Sequence, residues 1–341
     1  MSIKRVLIVG LGSVGQKHLD IATKVLPESE ITVLSSSTKY SNSSVNFLKS
    51  LNEALEFQPN LTLICNPAPM HVQIAQIFAE LNSHLFIEKP ISNSLIGVRK
   101  LLDTCKRKNL IVQTGYNLRF SKSLQEFRKI ILSGMLGDIF EIQATAGQYL
   151  PDWRPKRDYR TTVSAQKTLG GGVLLELSHE IDYLRWIFGE VNCVSGSLST
   201  TGNLEIDVED TANFKLGFKH WVSGKDLVAD VSLDFIRKIP ERLCKVVGES
   251  GVLVWNGLMG EVVFFPKNDG RIDKFSSEDV GFGKTYVDEW EGLIHCITTG
   301  DKPLVTGEDG LRVVEIIEAI REANVTGAKV DVMYDKTPGD A

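Results

Sequence analysis

Residues 9–15 read VGLGSVG. Gly10, Gly12 and Gly15 stand in G-x-G-x-x-G spacing, directly after the apolar run Ile3–Val9 and ahead of a helix-like stretch near 14–26. Strand, glycines, helix is the order in which this spacing carries a mechanism. Gly10 permits the tight turn, Gly12 lets a pyrophosphate approach the backbone, and Gly15 lets helix pack on strand. A helix that opens at Ser13 and Val14 offers unpaired N–H groups and a partial positive charge to that anion. The plainer reading is a packing turn that binds nothing.

The same alternation continues for about 120 residues. Short runs rich in Val, Ile and Leu recur at Ile31–Leu34, Leu61–Cys65, Leu85–Ile87 and Leu110–Thr114, with helical stretches near 44–57, 69–81 and 93–108. Short, largely apolar strands alternating with helices mean a parallel, doubly wound sheet covered on both faces. After Phe120 the pattern changes. A helix near 121–133 leads into DIFEIQATAGQYL (138–150), where Phe140, Ile142 and Ala144 alternate with polar residues as in a one-sided strand. GGGVLLELSHEIDYLRWIFG (170–189) reads as one helix entered through the glycines and stopped by Gly189, and from 190 to about 276 strand and turn signals follow each other. Helices near 285–298 and 308–324 and a short strand at 329–334 close the chain. The expected fold class is α/β, with a dinucleotide-binding domain over 1–120. A second α/β domain with a large, mainly antiparallel open sheet is expected over 121–341.

Composition narrows the function. With 43% hydrophobic and 24% charged residues and a net charge of −5, the 341-residue chain is that of a globular protein. It lacks the basic field that nucleic acid demands. No apolar run approaches the roughly 18 residues of a membrane span. Cysteines 65, 105, 193, 244 and 296 form no CxxC pair or Cys/His ligand spacing, so neither a metal site nor a disulfide framework is expected. An odd, sparse set fits a reducing, cytoplasmic setting.

Three further strand ends carry chemistry, because ligands of doubly wound sheets lie across the carboxyl ends of the strands. TVLSSSTKYS (32–41) has no acid where NAD sites place one on the ribose hydroxyls. Ser35, Ser36, Ser37, Thr38 and Lys39 instead suit a 2′-phosphate, so NADP is expected ahead of NAD. In CNPAPMH (65–71), Asn66 and Pro67 border the cofactor, and His71 either lines the site or packs. HLFIEKP (84–90) ends a buried strand in Glu88 and Lys89. A partly desolvated lysine beside an oxidised nicotinamide gives up its proton more readily, which suits proton transfer at neutral pH, with Glu88 orienting it and both residues counted among the cofactor contacts. On the single helix expected over 170–189, Glu176, His179, Glu180 and Tyr183 share one face at i, i+3, i+4 and i+7.

GLGSVG (10–15), NPAPMH (66–71), IEKP (87–90), and GGG (170–172) followed by LSHEID (177–182) together resemble the Gfo/Idh/MocA family of sugar-type dehydrogenases. The resemblance runs to GEDGLRVVEIIEAI (307–320). It implies a Rossmann domain, then an α/β domain whose open sheet makes oligomer contacts, here a homo-dimer or homo-tetramer. It also implies hydride transfer between NAD(P) and a hydroxyl or carbonyl of a sugar, sugar acid, cyclitol or nucleotide sugar. Lys89 matches the family's catalytic lysine, His179 its histidine and Asp182 the acid after it. Many members carry an Asp four residues before that histidine; Leu175 stands there in this chain, and Glu176 is the candidate replacement. LELSHEIDYLRW (175–186) and QYLPDWRPKRDYR (148–160) resemble a branch linked to surface-polysaccharide sugars. Tyr116, Asn117, Arg119, Trp153, Arg154, Asp158, Tyr159, Arg160 and Asp182 are the candidate substrate contacts. Aromatic faces suit a sugar, and the arginines suggest an anionic one. Two competing readings are a glycosidase that uses tightly held NAD and a non-catalytic dinucleotide-binding protein.

Overall fold

The run after the first basic residues forms strand β1 (Arg5–Val9), in which Val6, Leu7 and Ile8 are wholly buried. Its side chains go alternately to two separate cores: Leu7 and Val9 to one, Val6 and Ile8 to the other. A strand that feeds two cores must lie inside a sheet covered on both faces, which explains why no polar residue interrupts it. The computed structural model describes residues 3–35, 45–219, 224–268, 273–277 and 283–334. Two units make up the chain: Met1–Asn117 with Gly283–Val314, and Leu118–Phe282 with Glu315–Ala341.

In the first unit β1 is joined by β2 (Glu30–Leu34), β3 (Asn46–Leu48), β4 (Leu61–Ile64), β5 (His84–Ile87) and β6 (Val112–Thr114). All pair in parallel, in the order β3-β2-β1-β4-β5-β6. The strand order reverses direction at β1, where such sheets open a ligand crevice at their carboxyl ends. Helices α1 (Ser13–Val25), α2 (Leu51–Phe57), α3 (His71–Glu80) and α4 (Val98–Arg107) connect the strands.

Two local expectations fail here. Residues 44–57 are not one helix: Asn46–Leu48 pairs with β2 as an edge strand, and the helix starts only at Leu51. Ser50 explains the delay. Its Oγ accepts from the Glu53 N–H at 3.3 Å, and the Glu53 carboxylate accepts from the Ser50 hydroxyl and the Lys49 N–H. That capping box sets a first turn no earlier than Leu51. The helix expected from 93 likewise begins at Val98, after Gly97 at φ +78°.

The first unit also takes in α8 (Gly283–Thr299) and the start of α9 (Gly307–Thr326), which the sequence reading assigned to the second domain. Trp290, Leu293 and Ile297 fill the core that Val6 and Ile8 enter; Leu311 and Val314 fill the other. Without them the sheet would expose apolar faces worth roughly 1.5–3 kcal/mol per large side chain.

In the second unit nine strands form one sheet. They are β7 (Ile139–Gly147), β8 (Val191–Ser199), β9 (Thr211–Phe218), β10 (Leu227–Asp234), β11 (Glu241–Gly248), β12 (Gly251–Asn256), β13 (Glu261–Pro266), β14 (Asp273–Ser276) and β15 (Val330–Asp331). The order is β14-β13-β12-β11-β7-β10-β9-β8-β15, antiparallel except between β7 and β10. Burial alternates along β11 and β12, so one face is covered and the other open. Phe140 departs from the expected alternation and is 66% exposed. A β-bulge between Val247 and Gly248 skips it: Val247 faces Glu141, Gly248 faces Ile139.

Helices α5 (Lys122–Leu132), α6 (Val173–Glu176) and α7 (His179–Phe188) also belong to this unit. The single helix expected over 170–189 is therefore two helices, broken at Leu177–Ser178. Each piece has its own anchor. The α6 start is held by Glu209, whose backbone carbonyl and side chain accept the Val173 and Leu174 N–H groups. In α7, Glu180 accepts from Arg242 Nε at 2.7 Å, and Tyr183 packs edge-on against the buried Trp255. The four-residue face predicted from helical spacing does not survive the break. Glu180 and Tyr183 serve the core, while Glu176 and His179 are half-buried on separate helices.

Candidate active site

The three glycines have three different environments. Gly10 sits at φ +93°, and a Cβ there would meet the Asn66 backbone nitrogen at 2.8 Å. A Cβ on Gly15 would stand 2.1 Å from the Gly10 carbonyl oxygen. Both positions are closed by backbone. Gly12 has φ −69° and nothing within 4 Å of an added Cβ. Nothing in the protein itself requires a glycine at 12. The open space beside it, next to exposed Ser13 and half-buried Val14, is what a bound ligand would use. Gly12 supplies no side-chain cap to α1, and the first turn has no acid, so the helix end stays favourable to an anion.

At the carboxyl end of β4, the Asn66 side chain has both its oxygen and its nitrogen buried without a hydrogen-bond partner. An orphaned amide in a folded protein asks for a ligand or water. Together with the space at Gly12 it fits a dinucleotide along this edge, with Pro67 beside it. Ser35 ends β2 half-buried; Ser36, Ser37, Thr38 and Lys39 lie outside the described residues. His71 is taken up by the protein: its Nδ1 lies 3.0 Å from the Pro90 carbonyl and its Nε2 2.6 Å from the Asn66 carbonyl. Burial outweighs these contacts and holds the imidazole below its ordinary value. His71 ties the loop after β4 to the turn after β5, which is the packing role of the two left open by the sequence.

The turn after β5 carries Glu88 and Lys89. Glu88 is buried; its Oε1 lies 2.7 Å from His18 Nε2, and its Oε2 accepts the Lys89 backbone N–H at 3.0 Å. Burial pushes the carboxyl up, but the His18 hydrogen bond, nearby positive charge and the Lys89 N–H outweigh it and the net displacement is downward. Both Glu88 oxygens have protein partners, so Glu88 orients the turn, whereas the sequence reading also counted it among the cofactor contacts. Lys89 is half-buried at the carboxyl edge that also holds Gly10 and Asn66, on β1, β4 and β5, three adjacent strands.

The predicted substrate contacts divide. Tyr116 is wholly buried, and Asn117 donates through Nδ2 to Thr285 Oγ1 at 2.8 Å, so both are held inside the first unit. In the second unit Arg119 forms a fork with Asp182, Nε to Oδ2 at 2.9 Å and a terminal nitrogen to Oδ1 at 2.7 Å, both residues buried. This pair is structural, and removing either partner would strand a buried charge. Arg160 pairs with Asp158 and Glu205 in the open. The Glu205 N–H donates to the Tyr159 hydroxyl, and Trp153 donates to the Gln148 carbonyl while packing edge-on against Phe235. Arg154 is half-buried nearby in sequence.

Sequence reasoning missed His18 and Trp290. His18 continues the glycine spacing by three residues, a signal that was there to read. Trp290 lies 272 residues further on and had none. Among the described residues no group of three or more His, Cys, Asp or Glu could hold a metal ion, and no helix is long and apolar enough to cross a membrane.

Comparison with known proteins agrees with this geometry. Residues 4–116 match the family model described as "Oxidoreductase family, NAD-binding Rossmann fold", and residues 124–254 match the "GFO/IDH/MocA C-terminal domain". The chain belongs to the Gfo/Idh/MocA family. Among its relatives is the myo-inositol 2-dehydrogenase of Thermotoga maritima, 25% identical over 90% of this chain and 92% of that protein. The levoglucosan dehydrogenase of Pseudarthrobacter phenanthrenivorans is 30% identical, over 40% of this chain and 35% of its own length. Among solved structures, a levoglucosan dehydrogenase in complex with NADH superimposes with a TM-score of 0.84 at 20% identity, covering 97% of this chain and all of that one. The WlbA dehydrogenase from Bordetella pertussis, with NADH and UDP-GlcNAcA, gives 0.81 at 18% identity, covering 98% of this chain and 100% of that one. A Gfo/Idh/MocA chain is an NAD-binding oxidoreductase, and the relatives from Thermotoga maritima and Pseudarthrobacter phenanthrenivorans are dehydrogenases that act on CH–OH groups.

The glycine environments predict a separation of effects. Gly12→Ala keeps the wild-type melting temperature but weakens dinucleotide binding about tenfold or more, because only the ligand competes for that space. Gly15→Ala loses stability, because its neighbour is backbone and cannot yield. Thermal melts and fluorescence titration of both variants check this.

His71 predicts a pH effect. The unfolded ring takes up a proton near its ordinary value of 6.5, while the folded ring does so only at lower pH. Below that value the unfolded state binds more protons, so stability falls as pH falls. His84 moves in the same direction, chiefly through burial, and its Nδ1 accepts the Ile111 N–H. The melting temperature of the wild type therefore drops from about pH 6.5 to about pH 5, and His71→Gln flattens part of that slope. An unchanged slope in the variant would place the proton uptake elsewhere.

Proposed function

We propose that this chain transfers a hydride between NAD(P) and a hydroxyl-bearing carbon of a sugar or cyclitol, with Lys89 and His179 as its acid–base groups. The observation that carries the reading is the carboxyl edge of the first sheet. There Gly12 leaves open space, the Asn66 amide lacks a partner, and the buried Glu88 holds the turn that presents Lys89. Bound dinucleotide would supply the hydride acceptor, along Gly10, Gly12, Ser13, Val14, Gly15, Asn66 and Pro67.

In the oxidative direction the substrate's C–H bond breaks with its electron pair leaving as hydride, and the O–H proton passes to Lys89 Nζ or a His179 ring nitrogen. The other group then donates to the forming oxyanion. In the reductive direction the same group returns the proton. Glu176, one position after the acid that many relatives carry, is proposed to hold His179.

The anionic-substrate reading loses two of its three supports, because Arg119 and Arg160 already face carboxylates of this chain. A neutral sugar or cyclitol hydroxyl is the better proposal, with Trp153, Arg154 and Tyr159 as candidate contacts. The acid-free stretch 35–39 supports NADP over NAD, since a carboxylate there would repel a 2′-phosphate. The open face of the nine-stranded sheet supports a homo-dimer or homo-tetramer. The five cysteines, buried and unpaired, support a cytoplasmic setting.

Fluorescence titration is expected to show NADPH binding more tightly than NADH; the reverse order would assign the 35–39 stretch another role. With a panel of sugars and cyclitols, Lys89→Ala and His179→Ala should each lose at least about a hundredfold in kcat while binding dinucleotide normally. Full turnover in either variant would remove that residue from the chemistry.

A further inference from the structure

A single hydrogen-bonded chain runs from the C-terminal helix α8 to the backbone of Lys89. The Trp290 indole Nε1–H donates to His18 Nδ1 at 2.9 Å. An indole nitrogen only donates, so His18 Nδ1 is an acceptor and carries no hydrogen. The ring proton must then sit on Nε2, which faces Glu88 Oε1 at 2.7 Å. Glu88 Oε2 in turn accepts the Lys89 N–H at 3.0 Å. His18 and Trp290 are wholly buried, and Phe86 and Tyr286 flank the imidazole with ring centroids 4.9 and 5.5 Å away. No bond in this chain has a choice of direction.

We propose that Trp290 and His18 are positioning residues for Lys89: Trp290 selects the His18 tautomer that clamps Glu88, and Glu88 fixes the backbone of the turn that presents Lys89. This rests on Lys89 being an acid–base group. Several features point beyond packing. A purely structural core at this place, between Phe86, Tyr286 and Trp290, would need no imidazole or carboxylate, and apolar groups of the same shape would serve as well. The ionised Glu88 is costly to bury, and its partners come from α1, from α8 by way of His18, and from the residue after it in the turn. The backbone N–H it holds, among the described residues, is that of Lys89. Small misplacements of an acid–base group lower turnover without weakening ligand binding.

The test compares Trp290→Phe, His18→Gln and His18→Leu in the full-length protein. A glutamine side chain donates through its nitrogen and accepts through its oxygen, so it reproduces the donor–acceptor pattern of the imidazole; leucine keeps bulk and loses both. One readout needs no activity: the Lys89 backbone amide resonance, whose position reports its bond to Glu88. The other is the division between kcat and the dinucleotide KM. Trp290→Phe and His18→Leu are expected to move the Lys89 amide and lower kcat about ten- to a hundredfold, with KM for dinucleotide within about twofold. His18→Gln should return both toward wild type. A Lys89 amide at its wild-type position in Trp290→Phe and His18→Leu, both folded by thermal melt, would overturn the proposal. Glutamine as damaging as leucine would do the same. If the amide depends on Trp290 and His18 but the wild type oxidises no sugar or cyclitol, the positioning stands and the proposed function falls.

Discussion

The structure of the first unit depends on burying one ionised carboxylate. Glu88 ends the strand β5 in the interior, where an unpaired charge would cost several kcal/mol. The fold answers with a donor for each oxygen: His18 from α1 and the N–H of Lys89 from the turn itself. His18 in turn needs a donor for its second nitrogen, and Trp290 provides it. The requirement therefore reaches from the glycine turn, through the strand ends, to a helix near the end of the sequence. It explains why Gly283–Val314 folds with the N-terminal sheet: the carboxylate and the apolar face above β1 both need α8.

The two sheets answer different demands. The parallel sheet is fed from both sides, and the middle of β1 is apolar at successive positions, so register there is held by two cores at once. The nine-stranded sheet is covered on one side only. Alternation sets its register, and a one-residue bulge is enough to turn Phe140 outward without disturbing Ile139 or Ile142. The second unit carries its polar core at a few points, where Arg119–Asp182 ties the turn before α5 to α7 and Arg242–Glu180 pins α7 to β11. These buried pairs give little net stability by themselves, yet leaving either partner alone would be severe. They act as locks on helix position.

Much of this was legible in the sequence because its signals were local. The glycine spacing after an apolar run, the apolar strands of the parallel sheet and the turn at Glu88–Lys89 each rest on neighbours within a few residues. The helix over 170–189 was misread because periodicity sees spacing and not anchors: nothing in the local pattern says that Glu209 holds one end and Arg242 and Arg119 the other. The strand at Asn46–Leu48 was missed for a similar reason, as three edge residues give no period, although Ser50 and Glu53 did carry the capping signal. The sequence reading also grouped polar residues by proximity along the chain. Arg119, Arg160 and Asp182 were grouped as substrate contacts, and each turned out to have a partner within the protein. The roles of Lys89, His179, Glu176 and the substrate contacts remain proposals, because their chemistry depends on ligands and not on the fold.

Charge pairing inside the protein also limits what a substrate must bring. An arginine already forked to an aspartate has its donors directed and its charge balanced; a second anion would have to displace the first. Of the three arginines first counted toward an anionic sugar, two are matched in this way. The glycine turn shows the opposite condition, since Gly12 faces open space and the neighbouring Asn66 amide is buried without a partner. Unsatisfied groups in a folded chain are costly, and evolution of a packed interior would remove them unless something else completes them. The Asn66 amide that this protein leaves incomplete lies where the dinucleotide is expected. His71, which the protein completes, ties the loop after β4 to the turn after β5 at that edge, while Arg119 and Asp182 complete each other within the second unit.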